Sequence, residues 1–110
     1  MGIIKKNNST LELDVTPNHL LMVKEILAQL IPSLSVWAYG SRVKGTAKKN
    51  SDLDLVVFSI DRLKFISLKE AFEESNIPFR VDIMDWNNIP ESFKKNIREK
   101  YVVIQEGKKS

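Results

Sequence analysis

Short runs of β-forming residues, separated by segments with helical periodicity, constrain the fold of this chain most strongly. The runs span residues 35–39, 53–58 and 79–86, and glycine, proline or polar residues border them. Between them, apolar residues recur at spacings of three and four, as on one face of an amphipathic helix. The pattern predicts an α/β (α+β) domain, with one mixed sheet of about three to four strands and helices packed on it.

Prolines mark the ends of the predicted helices. Thr16 and Pro17 fit the N-cap and the first position of a helix that ends before Pro32. A second amphipathic helix is predicted to reach about residue 75. Pro90 opens a last helix that we expect to continue toward Gly107. Four large apolar residues share one face of that helix, namely Phe93, Ile97, Tyr101 and Ile104.

A chain of 110 residues has room for one domain, so we expect a single domain over residues 1–110. Residues 1–15 and 106–110 are expected to be loosely ordered. We see no apolar run that could form a signal peptide or a membrane helix, which makes the cytoplasm the expected location.

The scarcity of sulfur and imidazole ligands excludes several kinds of site. The chain has no cysteine, which excludes a disulfide scaffold, a cysteine-ligated zinc site, an iron–sulfur cluster and a thiol nucleophile. Its one histidine, His19, excludes a multi-histidine metal site and weakens a Ser-His-Asp interpretation.

The small basic excess is concentrated at the C-terminal end. Residues 1–90 carry 11 basic and 11 acidic side chains, whereas residues 91–110 carry six basic and three acidic ones. The net charge of +3 is too small to suggest binding of duplex nucleic acid. The terminal cluster is either a solvated helix face with a tail or a docking surface for an acidic partner.

Gly40 and Ser41 directly follow the first β-forming run. Glycine permits a sharp turn and a close approach of the backbone to a ligand. Ser41 could begin a short helix, whose first N–H groups and hydroxyl would bind phosphate. Taken alone, a Gly-Ser pair after a strand is usually only a turn.

Asp52 and Asp54 lie two residues apart at the start of the second run. Alternation along a strand places both carboxylates on one face, with Leu53, Leu55 and Val57 on the opposite face toward the core. Adjacent carboxylates repel each other and raise each other's pKa unless a cation lies between them, and Mg²⁺ prefers such oxygen ligands. Alternatively, Asp52 only caps a turn and Asp54 is exposed.

Asp82 interrupts the apolar third run. A carboxylate among β-forming residues is costly to bury alone, so we expect its strand to neighbour that of Asp54 and to complete a three-carboxylate cluster. Asp85 competes for this role, but it would point to the other face of a regular strand and is better explained as structural. A phosphate-binding turn with three carboxylates is what two-metal nucleotidyl transfer requires.

These elements carry a resemblance to a known family. The chain reads Y-G-S-R-V-K-G-T-A from Tyr39 and S-D-L-D-L from Ser51, and the third β-forming run bears Asp82. This pattern resembles the polymerase β-like nucleotidyltransferase superfamily, and within it the minimal nucleotidyltransferases that work with a separately encoded partner. The resemblance spans residues 36–104, and residues 101–104 look like the family's last helix.

The resemblance implies a role for each motif residue. Asp52 and Asp54 would bind two Mg²⁺ ions, and Asp82 would bind one of them near the attacking hydroxyl. ATP or another nucleoside triphosphate would be the substrate. The residues implied in phosphate binding are Gly40 and Ser41 at the β- and γ-phosphates, together with Arg42 and Lys44, for which a solvent-facing position is the alternative.

The resemblance also implies a partner, a helical protein of the HEPN family. In that interpretation the chain is the antitoxin of a toxin–antitoxin pair and transfers AMP from ATP to a tyrosine of the partner. One alternative is a non-catalytic nucleotide-binding subunit that neutralises its partner sterically. Another is a subunit of a small-molecule, antibiotic-type adenylyltransferase. A hetero-oligomer and a homodimer are both compatible with the sequence.

Overall fold

The computed structural model describes residues 13–48 and 50–107 and has one mixed sheet with helices on both faces. The sheet order is β3-β2-β1-β4, with β1 antiparallel to both β2 and β4, and β2 parallel to β3. The predicted fold class is therefore confirmed. The elements in chain order are α1 (Pro17–Leu30), β1 (Val36–Tyr39), α2 (Ser41–Lys44), β2 (Leu53–Val57), α3 (Arg62–Glu73), β3 (Val81–Asp85), a 3₁₀ turn (Trp86–Asn88), α4 (Glu91–Glu99) and β4 (Val102–Gln105).

Helix α1 begins and ends where the sequence predicts. The Thr16 hydroxyl accepts a hydrogen bond from the backbone N–H of His19, and Pro17 is the first helical residue. The helix stops at Leu30 because Ile31 precedes a proline and avoids the helical region.

The prediction of one continuous helix from Pro90 to Gly107 is wrong. Helix α4 ends at Glu99, and β4 follows as an edge strand that pairs with β1. Residues 102–104 are all β-branched, and in extended form they supply the hydrogen bonds that one edge of β1 would otherwise lack. The likeness of this segment to a last helix of the family is therefore corrected as well.

Side chains alternate between the two faces of the sheet. Leu53, Leu55 and Val57 are fully buried toward α1 and α3, as predicted. On the opposite face, Tyr39 and Val56 pack against Ile97 of α4 and its neighbours. We call this side of the sheet the α4 face. Because side chains alternate along each strand, Asp54 and Asp82 also lie on the α4 face.

The segment just before α1 contacts the domain, while the expected loose order of residues 1–15 and 106–110 stays a prediction. Leu13 and Val15 pack against the core, and the N–H of Asp14 donates to the carbonyl of Arg42 at 2.7 Å. At the other end, the N–H of Gly107 donates to the Ser35 hydroxyl at 2.9 Å. Part of that expectation falls on residues 1–12 and 108–110, which lie outside the described residues. Within the described ranges, no helix is long and apolar enough to cross a membrane.

Candidate active site

The strand register brings one tyrosine and two carboxylates into a row across the sheet. Tyr39 of β1 lies opposite Asp54 of β2, and Asp54 lies opposite Asp82 of β3. All three side chains alternate onto the α4 face, with Asp54 in the middle. Asp52 is exposed and lies one residue before β2. The predicted proximity of Asp82 to Asp54 is therefore present in the structure.

Electrostatic repulsion concentrates on the central carboxylate. Burial, followed by the charges of Asp82 and Asp52, raises the pKa of Asp54 to about 6. Burial and the charges of Asp54 and Asp82 raise the pKa of the Tyr39 phenol far above its usual range, so this phenol stays neutral at physiological pH. The two carboxylates of the row therefore carry negative charge beside the neutral Tyr39 phenol, and this negative charge attracts cations.

The raised pKa of Asp54 makes a stability prediction. The folded value of about 6 exceeds an unfolded value of about 3.9, so folding stability falls as pH rises between these values and stays reduced above them. Asp54→Asn removes this penalty. We expect the variant to melt at a higher temperature than wild type at pH 7.5 in EDTA, and the difference to shrink toward pH 4, measured by circular dichroism.

A matched substitution separates this effect from a general change of charge. Glu70→Gln also removes one carboxylate, but from an exposed position on α3. It should shift the melting temperature by much less than Asp54→Asn at pH 7.5. An Asp54→Asn protein that melts at or below the wild-type temperature at pH 7.5 would contradict the prediction.

The donor set suits a hard divalent cation. Within residues 13–48 and 50–107, no three side chains of the metal-ligating types converge into a ready-made site. Asp54 and Asp82 are nevertheless register partners, and the charge of Asp52 also acts on Asp54. A bound cation offsets the repulsion that Asp82 and Asp52 exert on Asp54, and Mg²⁺ takes oxygen ligands of this type. The residues therefore fit Mg²⁺ in charge and in donor chemistry.

The turn after β1 packs directly on Asp54. Gly40 has φ +85° and ψ −156°, a conformation that is essentially restricted to glycine. A Cβ at this position would overlap with Oδ2 of Asp54, so the carboxylate occupies the space that a side chain would take. The Gly40 carbonyl accepts from the N–H groups of Val43 and Lys44 at 3.0 Å, which starts α2 at Ser41. The Gly-Ser turn and the central carboxylate are therefore in direct contact.

A pocket of about 150 Å³ opens beside this turn, between α2 and α4. Gly40 and Lys44 line the pocket on the α2 side, and Asn96 and Lys100 line it on the α4 side. Phe93, in the first turn of α4, also contributes to the lining. Lys44 is exposed and remains a candidate phosphate ligand.

Sequence reasoning missed Asn96 and Lys100 as pocket residues. The sequence predicts one helix over residues 90–107, with its basic residues either solvated or forming a docking surface. The spacing of Phe93, Asn96, Ile97 and Lys100 is that of one helix face and could have indicated a shared surface.

Arg42 occupies a position that neither sequence alternative anticipated. Its side chain is buried, with 6% of the residue exposed. Nε and Nη2 donate to the carbonyl of Ser51 at 3.0 and 2.8 Å, and Nη1 donates to the carbonyl of Asp14 at 2.7 Å. The guanidinium also lies 4.1 Å from the ring centroid of Phe79. These contacts show that Arg42 does not face solvent, and its binding of phosphate stays a prediction.

Asp85 has the structural position that the sequence suggested. Its Oδ1 accepts from the N–H of Asn87 at 3.0 Å, and its Oδ2 accepts from the side-chain amide of Asn88 at 3.2 Å. These bonds cap the 3₁₀ turn that follows β3. Because Asp85 is three residues beyond Asp82 on a regular strand, it belongs to the opposite face from the carboxylate row.

A mixed sheet with a Gly-Ser turn on a row of carboxylates defines a nucleotidyltransferase-type site. The chain matches the family described as "Polymerase beta, Nucleotidyltransferase" over residues 22–110, and it belongs to that family. It is 53% identical over 102 residues to a Haemophilus influenzae protein described as "Probable protein adenylyltransferase MntA", with 90% of each chain covered. The family predicted from the sequence is therefore confirmed.

Solved structures of similar fold come from toxin–antitoxin systems. One is a toxin–antitoxin crystallised with AMP-PNP, with a TM-score of 0.65 and 20% identity over 86% of this chain and 76% of that chain. Another is an MNT antitoxin in complex with a tri-AMPylated Shewanella oneidensis HEPN toxin, with a TM-score of 0.59 and 16% identity over 81% of this chain and 71% of that chain. At these identities the likeness establishes the fold.

Proposed function

We propose that this protein transfers AMP from ATP to a hydroxyl of a HEPN-type partner and acts as the antitoxin of a toxin–antitoxin pair. The observation that carries the proposal is the Asp54–Asp82 pair, in register beneath the Gly40 turn. The Haemophilus relative described as a protein adenylyltransferase, at 53% identity, supports the choice of AMP and of a protein acceptor. ATP as donor places the proposed reaction in the cytoplasm.

The chain's own residues divide the work between donor and acceptor. Gly40 and Ser41 hold the β- and γ-phosphates at the start of α2, and Lys44 faces the same pocket. Asp52, Asp54 and Asp82 would hold two Mg²⁺ ions. Bound there, Mg²⁺ would offset the negative charge of the triphosphate and lower the pKa of the attacking hydroxyl.

The transfer is one displacement at the α-phosphorus of ATP. A bond forms between the acceptor oxygen and this phosphorus, the bond to the bridging oxygen of the β-phosphate breaks, and pyrophosphate leaves. Asp82 lies on the edge strand β3, with 38% of its side chain exposed, so an acceptor approaching from solvent meets this carboxylate. Asp82 orients the hydroxyl, whose proton passes to the carboxylate or to solvent.

A separate partner is part of the proposal because the row of carboxylates lies at the surface of a small domain. The similar solved structures include an MNT antitoxin with a HEPN toxin, which supports a partner of that class. Lys95 and Arg98 are exposed basic residues of α4 and offer a surface to an acidic partner.

Labelled ATP tests the proposal directly. The purified chain is incubated with α-³²P-ATP, Mg²⁺ and a purified HEPN-type candidate partner, and the products are separated by gel electrophoresis. We expect label on the partner, and loss of the partner's toxin activity in step with labelling. Omission of Mg²⁺ should abolish both.

Two outcomes would point to the other functions. Full neutralisation of the partner without label, and with Asp54→Asn as effective as wild type, would favour a steric, non-catalytic subunit. Label that appears only on a small molecule would favour an antibiotic-type adenylyltransferase subunit. Either result would overturn the proposed protein acceptor.

A further inference from the structure

Among residues 13–48 and 50–107, Arg42 is the one charged residue that is buried. Burial of a charge is costly unless hydrogen bonds compensate it. Here three guanidinium nitrogens donate to two backbone carbonyl oxygens, and Phe79 covers the group. A buried arginine directly after a phosphate-binding turn indicates that its contacts serve the site.

The two carbonyl groups connect Arg42 to segments far apart in sequence. Ser51, which accepts two of the bonds, immediately precedes Asp52, and it is nine residues from Arg42 along the chain. Asp14 is 28 residues away and is joined reciprocally, because its N–H donates to the Arg42 carbonyl and its carbonyl accepts from Nη1. The guanidinium therefore connects the segment before α1 to the loop between Gly45 and β2, which we call the return loop.

The return loop from Gly45 to β2 depends on this connection for its placement. Within the loop, the Lys48 N–H donates to the Ser51 hydroxyl at 2.8 Å and the Ser51 N–H donates to the Lys48 carbonyl at 3.0 Å. These bonds shape the turn internally. The Arg42 bonds to the Ser51 carbonyl fix that turn on one side of Asp52, and on the other side the N–H of Leu53 donates to the Arg80 carbonyl at 2.9 Å.

We propose that Arg42 is a positioning residue: by holding the Ser51 carbonyl it places Asp52 just before β2, from where its carboxylate can join Asp54 and Asp82 when a metal ion binds. This inference rests on the proposed function, since it assumes that these carboxylates hold Mg²⁺. A guanidinium presents a planar fork of donors, whereas the single ammonium of lysine cannot hold two carbonyl oxygens with the same geometry. Charge alone is therefore insufficient at this position.

The test compares Arg42→Lys, which keeps the charge, with Arg42→Met, which removes it. Lys48→Met is the matched control, because it removes an exposed positive charge from the same loop. Mn²⁺ binding is measured by electron paramagnetic resonance on the free chain, and kcat and KM for ATP are measured with the partner. Circular dichroism checks folding, and Arg42→Lys carries the test if Arg42→Met does not fold.

We expect Arg42→Lys to bind Mn²⁺ at least about tenfold more weakly and to lose about tenfold in kcat, with KM for ATP unchanged within about twofold. Lys48→Met should match wild type in all three quantities. Wild-type Mn²⁺ affinity in a folded Arg42→Lys would overturn the proposal, as would an effect confined to KM for ATP or a wild-type chain that binds no Mn²⁺. Weakened Mn²⁺ binding with no transfer by wild type would support the positioning role and contradict the proposed function.

Discussion

Replacement of Asp54 by asparagine is expected to lower AMP transfer by at least about a thousandfold while the protein stays folded. Asparagine matches aspartate in shape, so the contacts with Gly40 and the pairing of β2 with β3 persist. In the proposed mechanism the lost charge removes a central metal ligand, and a bound metal ion contributes several kcal/mol to stabilisation of the transition state. Each 1.36 kcal/mol corresponds to about tenfold in rate, which sets the expected loss. Single-turnover labelling of the partner measures it.

The two aspartates of β3 supply an internal comparison for this prediction. Asp82→Asn should lose transfer to a similar degree, because Asp82 is the register partner of Asp54. Asp85→Asn should keep transfer within about twofold, since Asp85 caps the 3₁₀ turn and asparagine caps equally well. Equal losses in both variants, or an Asp54→Asn protein that retains more than a tenth of wild-type transfer, would contradict the assignment of the carboxylate row.

The carboxylate row could be predicted because period-two alternation and the cost of a buried charge are both readable from sequence. The spacing of Asp52 and Asp54 indicates that both side chains lie on one face of the strand. The apolar residues around Asp82 indicate that its carboxylate is not buried alone and lies near other polar groups. The pairing of Asp54 with Asp82 confirms the proximity that these two arguments require. Their roles as metal ligands stay a prediction for the Asp→Asn variants to test.

The position of Arg42 and the strand β4 could not be predicted, for a common reason. Each depends on contacts with residues distant in sequence, which local periodicity does not predict. Arg42 bonds to carbonyl groups nine and 28 residues away. The sequence of residues 102–105 is compatible with either a helix or a strand. Pairing with the edge of β1 stabilises the strand. The Gln105 side-chain amide adds to this, because it donates to the Ile31 and Leu34 carbonyls at 2.7 and 2.8 Å.

The substitution Gly40→Ala is also expected to lower transfer strongly, although it leaves all three carboxylates of the proposed site in the sequence. An alanine at φ +85° and ψ −156° is strained by about 1–3 kcal/mol. Its Cβ would also overlap with Oδ2 of Asp54, which has to move for the chain to fold. We therefore expect a lower melting temperature together with at least about a hundredfold loss of transfer by the folded protein, because displacement of a reacting group by about 1 Å costs roughly that much.

The other end of α2 supplies the control that separates backbone strain from displacement of Asp54. Gly45 also has a positive φ, +81°, but no atom lies within 4 Å of a Cβ placed there. Gly45→Ala should therefore lose about 1–2 kcal/mol of stability and keep transfer within about threefold at a temperature where it is folded. If Gly40→Ala and Gly45→Ala lose transfer equally, strain in the turn explains both. A loss confined to Gly40→Ala shows that the space for the Asp54 carboxylate is what glycine provides.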